Sequence, residues 1–288
     1  MKMSDTEATN GPQIEYWNAV AGPKWVTLAD LINPQIEPLG EEVMDRLALE
    51  HGEQVLDVGC GCGQTSRALA ERVGASGRVL GVDVSEVMLA EAQARSTGLD
   101  QLAFLAADAQ TAGLEPGAFD ALFSRFGVMF FARPEQAFAN LIQALKPRGR
   151  LGFVCWQEPT RNPWMSIPGR AAAAHVEMEG PGDPHAPGPF AFADGERVSR
   201  ILESAGFDDV SVESHVATLT VGAGLEFDAC VDFLLQMGPA AAALRAADEG
   251  LASTIRNAVK EAVEPYWQDS SLRMDAAVWL VGGRRGAE

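Results

Sequence analysis

The chain has 288 residues, 47% of them hydrophobic, which suits one large domain or a core domain with an insertion and does not indicate disorder. Its formal charge of −18, from 40 acidic against 22 basic residues, argues against a surface that binds nucleic acid by neutralising phosphates. Four cysteines make no disulfide framework at this length, nowhere do roughly 18 apolar residues run together, and MKMSDTEATNGP lacks a signal-peptide core. The expectation is a cytoplasmic protein without membrane or nucleic-acid partners.

In chain order, residues 1–53 read as an N-terminal helical lid, with Tyr16, Trp17 and Trp25 ahead of an amphipathic helix from about 35 to 49. From 54 to 156, apolar strand-like runs alternate with amphipathic helical stretches, the pattern of a parallel sheet covered on both faces. Strands are predicted over 54–59, 77–83, 101–108, 119–126 and 149–156, and helices over 65–74, after Ser85 as N-cap, and over 133–145 with Pro134 in the first turn. Residues 157–193, rich in proline and glycine, read as a substrate loop. Residues 194–288 complete the sheet: Asp194 caps a helix, 209–222 is a sixth strand, a helical cap insertion spans about 226–267, and 275–283 is the final strand. The fold class is thus α/β, a Rossmann-like, mostly parallel seven-stranded sheet with helices on both faces.

The chemistry concentrates in VLDVGCGCGQTS, residues 55–66, where an apolar strand closes on Asp57 and glycines follow at 59, 61 and 63. Alternate glycines let the backbone turn sharply and approach a ligand with no Cβ in the way, and the helix after them aims its free N–H groups at the ligand. A dinucleotide loop needs GxGxxG, whereas this run is GxGxG, with Ser66 three residues after Gly63. Asp83, at the end of the second strand, can accept both hydroxyls of a ribose, and Asp108 can accept an adenine amine beside the small Ala109. Cys60 and Cys62 have no matching Cys or His pair at zinc spacing, so they read as small loop-filling side chains and no metal is expected.

VLDVGCGCG, GVDVSEVML, AADAQ, FDALFSRFGVMF and LKPRGRLGFVCW, in that order, resemble the successive motifs of class I S-adenosylmethionine-dependent methyltransferases. The small-molecule branch that includes the quinone-biosynthesis C-methyltransferases is the most similar in appearance. The resemblance is strong over about a third of the chain, while the flanks match only in layout. It implies S-adenosylmethionine as cofactor and a small, partly apolar metabolite as acceptor. Asp57, Gly59, Cys60, Gly61 and Gly63 would hold the methionine end, and Asp83 the ribose. Val84, Met88, Asp108 and Ala109 would surround the adenine, with Ser124 or Arg125 beside the methyl donor. Phe130 and Phe131 stand where many relatives carry histidine, which puts a base at that position in doubt.

Tyr16, Trp25, Phe130, Trp156 and Trp164 are the expected substrate pocket, roofed by Phe233, Leu234 and Met237. In-line methyl transfer needs positioning and exclusion of water more than an acid or base. Tyr16, His175 and His185 are the candidates if a base is used, with Glu158 behind them, whereas His51 and His215 fall away from the donor edge. A non-catalytic binding protein of the same fold is the alternative, and a homodimer is left open.

Overall fold

The computed structural model describes residues 10–176, 182–248 and 250–287. Residues 1–9 of the expected lid and 177–181 of the expected substrate loop lie outside them.

The strands are β1 (Gln54–Val58), β2 (Arg78–Asp83), β3 (Leu102–Ala106), β4 (Phe119–Arg125), β5 (Leu145–Trp156), β6 (Phe207–Val221), the two-residue β7 (Trp267–Gln268) and β8 (Ser271–Arg285). They form one sheet in the order β3-β2-β1-β4-β5-β8-β6, with β7 paired only to β8. The first five are parallel, and β8 runs antiparallel between β5 and β6. The sheet therefore has the seven expected strands and one short addition. Buried runs such as Val55, Leu56 and Val58 suit strands covered on both faces. Strand order reverses beside β1, between β2 and β4, and in open α/β sheets ligands bind at the carboxyl ends of strands at such a switch point.

The helices that alternate with these strands are α3 (Gln64–Val73), α4 (Glu86–Arg95), α5 (Pro134–Ala144) and α7 (Gly195–Ser204). Their starts follow local chemistry. Ser85 Oγ accepts from Met88 N at 3.4 Å, and Asp194 accepts from the Glu196 and Arg197 amides, satisfying orphan donors of the first turn.

The flanks differ from expectation. In place of a helix from about 35, the chain is helical from Gly11, as α1 (Gly11–Tyr16), a π-helical stretch Trp17–Ala21, and α2 (Gly22–Leu47). Two internal prolines, Pro34 and Pro38, suggest breaks, but both are exposed, while Leu28, Ile32, Ile36, Leu39, Val43 and Leu47 are buried along one face. That apolar stripe outweighs the lost backbone hydrogen bonds. Only the first part of this segment crosses the strand ends: the later turns of α2 pack on β5, where a Cβ at Gly152 would meet Leu47 Cγ at 2.9 Å.

The stretch 157–193 is not loop throughout. It contains α6 (Pro163–Ala173), which buries Trp164, Met165, Pro168 and Ala172. The cap insertion is three helices: α8 (Phe227–Leu234) and α9 (Gly238–Ala246), bent by 75° at their break, and α10 (Ala252–Val263). Among the described residues no single helix is long and apolar enough to cross a membrane.

Candidate cofactor and acceptor site

One cleft of about 210 Å³ opens at the carboxyl ends of β1, β2, β3 and β4. Its floor is the glycine loop. Gly59, Gly61 and Gly63 have φ of +70°, +54° and +75°, a region that costs other L-residues about 1–2 kcal/mol each. At Gly59 a Cβ would sit 2.6 Å from Gly127 Cα, so the β1 and β4 loops touch backbone to backbone. Ser124 Oγ locks that contact by donating to Val58 O at 2.7 Å.

Asp57 lies beneath the loop and does not line the cleft. Its Oδ2 accepts from Thr65 Oγ1 at 2.7 Å and Ser66 Oγ at 2.6 Å, which ties β1 to the start of α3, while Oδ1 has no partner. Burial pushes its carboxyl up to about 6, against the two hydroxyls and Arg125, which pull it down. Asp83 does line the cleft. Its oxygens accept from Gly61 N at 2.8 Å and Ser85 N at 2.9 Å, and burial raises it despite those donors. Asp108 accepts from Gln110 N and from Asn10 Nδ2 at 3.3 Å, joining the third strand's end to the N-terminal segment. Burial holds both loop thiols in their neutral form, Cys62 at about 11 and Cys60 well above its ordinary value.

The N-terminal segment is strapped over this end. Asn18 Nδ2 donates to Val84 O at 2.9 Å while its Oδ1 accepts from Glu86 N at 3.0 Å, and Ser85 Oγ donates to Trp17 O at 2.9 Å. Trp17 meets Phe130 edge to face, with centroids 5.0 Å apart.

Arg125 stands in the cleft at the end of β4. Its guanidinium donates to two neutral amides, Gln64 Oε1 and Asn33 Oδ1, and burial pushes it down to about 10. Beyond it lies an aromatic wall. Phe126, left-handed at φ +64°, stacks on Trp156 at 4.0 Å, and Trp156 meets Trp164 at 5.3 Å.

Of the residues expected from sequence, Gly59, Cys60, Gly61, Cys62, Asp83, Val84, Met88, Asp108, Ala109, Arg125, Trp25, Phe130, Trp156 and Trp164 border this one cleft. Gly63, Asp57 and Ser124 support it from outside. Tyr16 is 42% exposed, His185 is exposed and His175 is half-buried; none of the three lines the cleft. Phe233 and Leu234 are in the core, and of these three only Met237 reaches the cleft, with Gly238 beside it. Sequence reasoning missed Asn10, Gln13, Trp17, Asn33, Gln35 and Gln64. The place of Gln64 as the first residue of α3, directly after the glycine loop, was a usable signal; the others depend on how the N-terminal helices lie.

A glycine-floored cleft at the switch point of a parallel sheet, with carboxylates at the ends of the second and third strands, defines an α/β domain built for a nucleoside-containing cofactor. Residues 55–149 match the family model described as a methyltransferase domain. The chain is 34% identical over 118 residues to an aklanonic acid methyltransferase of Streptomyces sp. strain C5, covering 40% of this chain and 54% of that protein. It is also 34% identical over 116 residues to a 2-phytyl-1,4-naphtoquinone methyltransferase of Thermosynechococcus vestitus, covering 40% and 52%. The chain thus spans about half the length of these relatives. A Haemonchus contortus phosphoethanolamine N-methyltransferase 2 in complex with S-adenosylmethionine superposes with TM-score 0.58 at 17% identity, over 99% of this chain and 61% of that one. The [4+2]-cyclase SpnF superposes with TM-score 0.56 at 21% identity, over 93% and 96%. These two share the fold.

Proposed function

We propose that the protein transfers a methyl group from S-adenosylmethionine to a small, partly apolar acceptor. The observation that carries this reading is the juxtaposition, in one cleft, of the glycine loop, Asp83 and Asp108 with an aromatic compartment across Arg125. The residues fit the cofactor. The left-handed glycines leave the loop backbone open to close approach, and Asp83 accepts the ribose hydroxyls while Asp108 and Ala109 border the adenine. Arg125, a half-buried cation whose hydrogen bonds among the described residues go only to neutral amides, takes the α-carboxylate. Asn10 Oδ1 and Gln13 Oε1, buried and unpartnered in the N-terminal strap, accept from the cofactor's donors.

The bound sulfonium supplies an activated methyl group. The protein's part is to align acceptor and donor and to keep water out, which Trp17, Trp25 and Phe130 do by closing over the strand ends. Titration calorimetry of the full chain with S-adenosylhomocysteine, followed by transfer from labelled donor into a metabolite extract, tests this. Micromolar binding and a labelled product are expected. Absence of binding to folded protein removes the reading, and binding without transfer to any acceptor leaves a non-catalytic role.

A further inference from the structure

Resting on that reading, we infer that Asn33 and Gln64 are positioning residues for the methionine end of the cofactor: they hold the Arg125 guanidinium in the cleft without neutralising it, so that the N-terminal helix α2 takes part in recognising the α-carboxylate.

The first observation is how the cation is held. Arg125 Nη2 donates to Asn33 Oδ1 at 2.9 Å and Nη1 donates to Gln64 Oε1, and all three residues line the cleft. Among the described residues no carboxylate pairs with this guanidinium; Asp57, Glu37 and Glu41 only favour its charge from a distance. Other partly buried arginines are held differently: Arg72, Arg95, Arg150 and Arg256, with side chains 23% to 33% exposed, each bind a carboxylate. An amide oxygen orients a guanidinium but leaves its charge intact, and the two bonds use two of its five N–H donors, so three remain for a ligand. A carboxylate in either place would form an ion pair and compete with an incoming anion.

The second observation is that one face of α2 builds this hold. Asn33 and Glu37 are one turn apart on it. Glu37 Oε1 accepts from Gln64 Nε2 at 2.7 Å, which turns the Gln64 amide so that its oxygen is presented to Arg125. Gly40 continues the same face: a Cβ there would sit 3.0 Å from Arg125 Cδ, so the lack of a side chain lets the helix lie against the arginine stem. The guanidinium is thus fixed from α3 on one side and from α2 on the other. Displacement of α2 would release both the Asn33 bond and the Gly40 contact, and would leave the charge without its aim.

The test titrates the full chain calorimetrically with S-adenosylhomocysteine and with 5′-methylthioadenosine, which keeps the adenine, ribose and thioether but lacks the amino-acid end. The native chain is expected to bind the first about tenfold or more tightly than the second. Asn33→Asp keeps the side-chain shape and places a carboxylate on Arg125. It is expected to lower S-adenosylhomocysteine affinity about tenfold while 5′-methylthioadenosine affinity stays within about twofold. Asn33→Ala, which suits a helix, is expected to narrow the ratio of the two affinities about threefold. An unchanged ratio in either variant, or both ligands weakened alike as a merely structural role would have it, overturns the inference. So does a native chain that binds the two ligands equally. Binding of neither ligand to the folded native chain removes the methyltransferase reading instead, and should Asn33→Asp not fold, the ratio in Asn33→Ala decides.

Discussion

Two glycine substitutions separate backbone strain from close approach. Gly98, at φ +88°, has open space where a Cβ would project, with nothing within 4 Å, whereas at Gly59, φ +70°, an added Cβ lies 2.6 Å from Gly127 Cα. Both alanine variants therefore carry the left-handed penalty of about 1–2 kcal/mol. Only Gly59→Ala must also open the contact by about 0.8 Å to reach ordinary separation at 3.4 Å. Neither side gives easily, since Gly59 N is held by Val82 O at 2.8 Å and the β4 loop by the Ser124–Val58 bond. Overpacking of this kind adds about 1–3 kcal/mol, and the displaced loop is the cofactor floor. In urea denaturation Gly98→Ala is expected to lose about 1–2 kcal/mol and to bind S-adenosylhomocysteine like the native chain. Gly59→Ala is expected to lose about 2–5 kcal/mol and at least tenfold in affinity, or about 1.4 kcal/mol. Equal destabilisation of the two variants, with affinity unchanged in both, would refute the close-approach argument.

Asp57 gives a pH prediction. Its folded value of about 6 lies above the ordinary 3.8, so the native state holds the proton more tightly, and the contribution of Asp57 to stability is full below about pH 4 and declines as pH rises to about 6. Asp57→Asn lacks that decline, so the stability difference between variant and native chain is expected to move by about 3 kcal/mol in the variant's favour between about pH 4 and 7, read by urea denaturation at both. Asn18→Ala removes both hydrogen bonds that pin the N-terminal strap to Val84 and Glu86. At about 1 kcal/mol each, the loss is expected to speed S-adenosylhomocysteine release about tenfold or more in stopped-flow measurements. Tyr16→Phe is expected to leave both binding and transfer unchanged, because that side chain is exposed and outside the cleft; a drop beyond about threefold would mean that Tyr16 turns inward with ligand bound.

What the sequence made legible is the part of the site whose geometry is local. Residues at the ends of consecutive parallel strands share one edge by construction, so Asp83 and Asp108 could be placed together from spacing alone, and the glycine loop announces its own conformation. Choices of side within an element were harder. Ser124 and Arg125 are neighbours on one strand and point to opposite faces; their identities do not say which faces the ligand, and the buried hydroxyl proved to be spoken for by Val58 O. Tyr16 and Trp17 show the same difficulty on a helix. The π-helical stretch that begins at Trp17 changes the helical phase where the segment crosses the strand ends, and an α-helical reading of aromatic spacing has no access to that shift.

The polar atoms that lack partners follow a different rule. Asn10, Gln13, Gln35 and Trp164 come from three separate segments, the start of the N-terminal helix, α2 and α6, and nothing in their local sequence marks them. They become informative only when tertiary packing buries them without completing their hydrogen bonds. A buried polar group that the fold leaves unpaired is destabilising by itself, and four of the six such atoms among the described residues belong to residues that border one cavity. The same logic separates Trp156 from Trp164. Trp156 is held by stacking and by backbone register as the last residue of β5, and its replacement by Phe should act on packing. For Trp164 the ring is packed but the N–H has no partner among the described residues, so its replacement by Phe should preserve packing, remove an unpaired buried donor and leave stability unchanged or raised by about 1 kcal/mol.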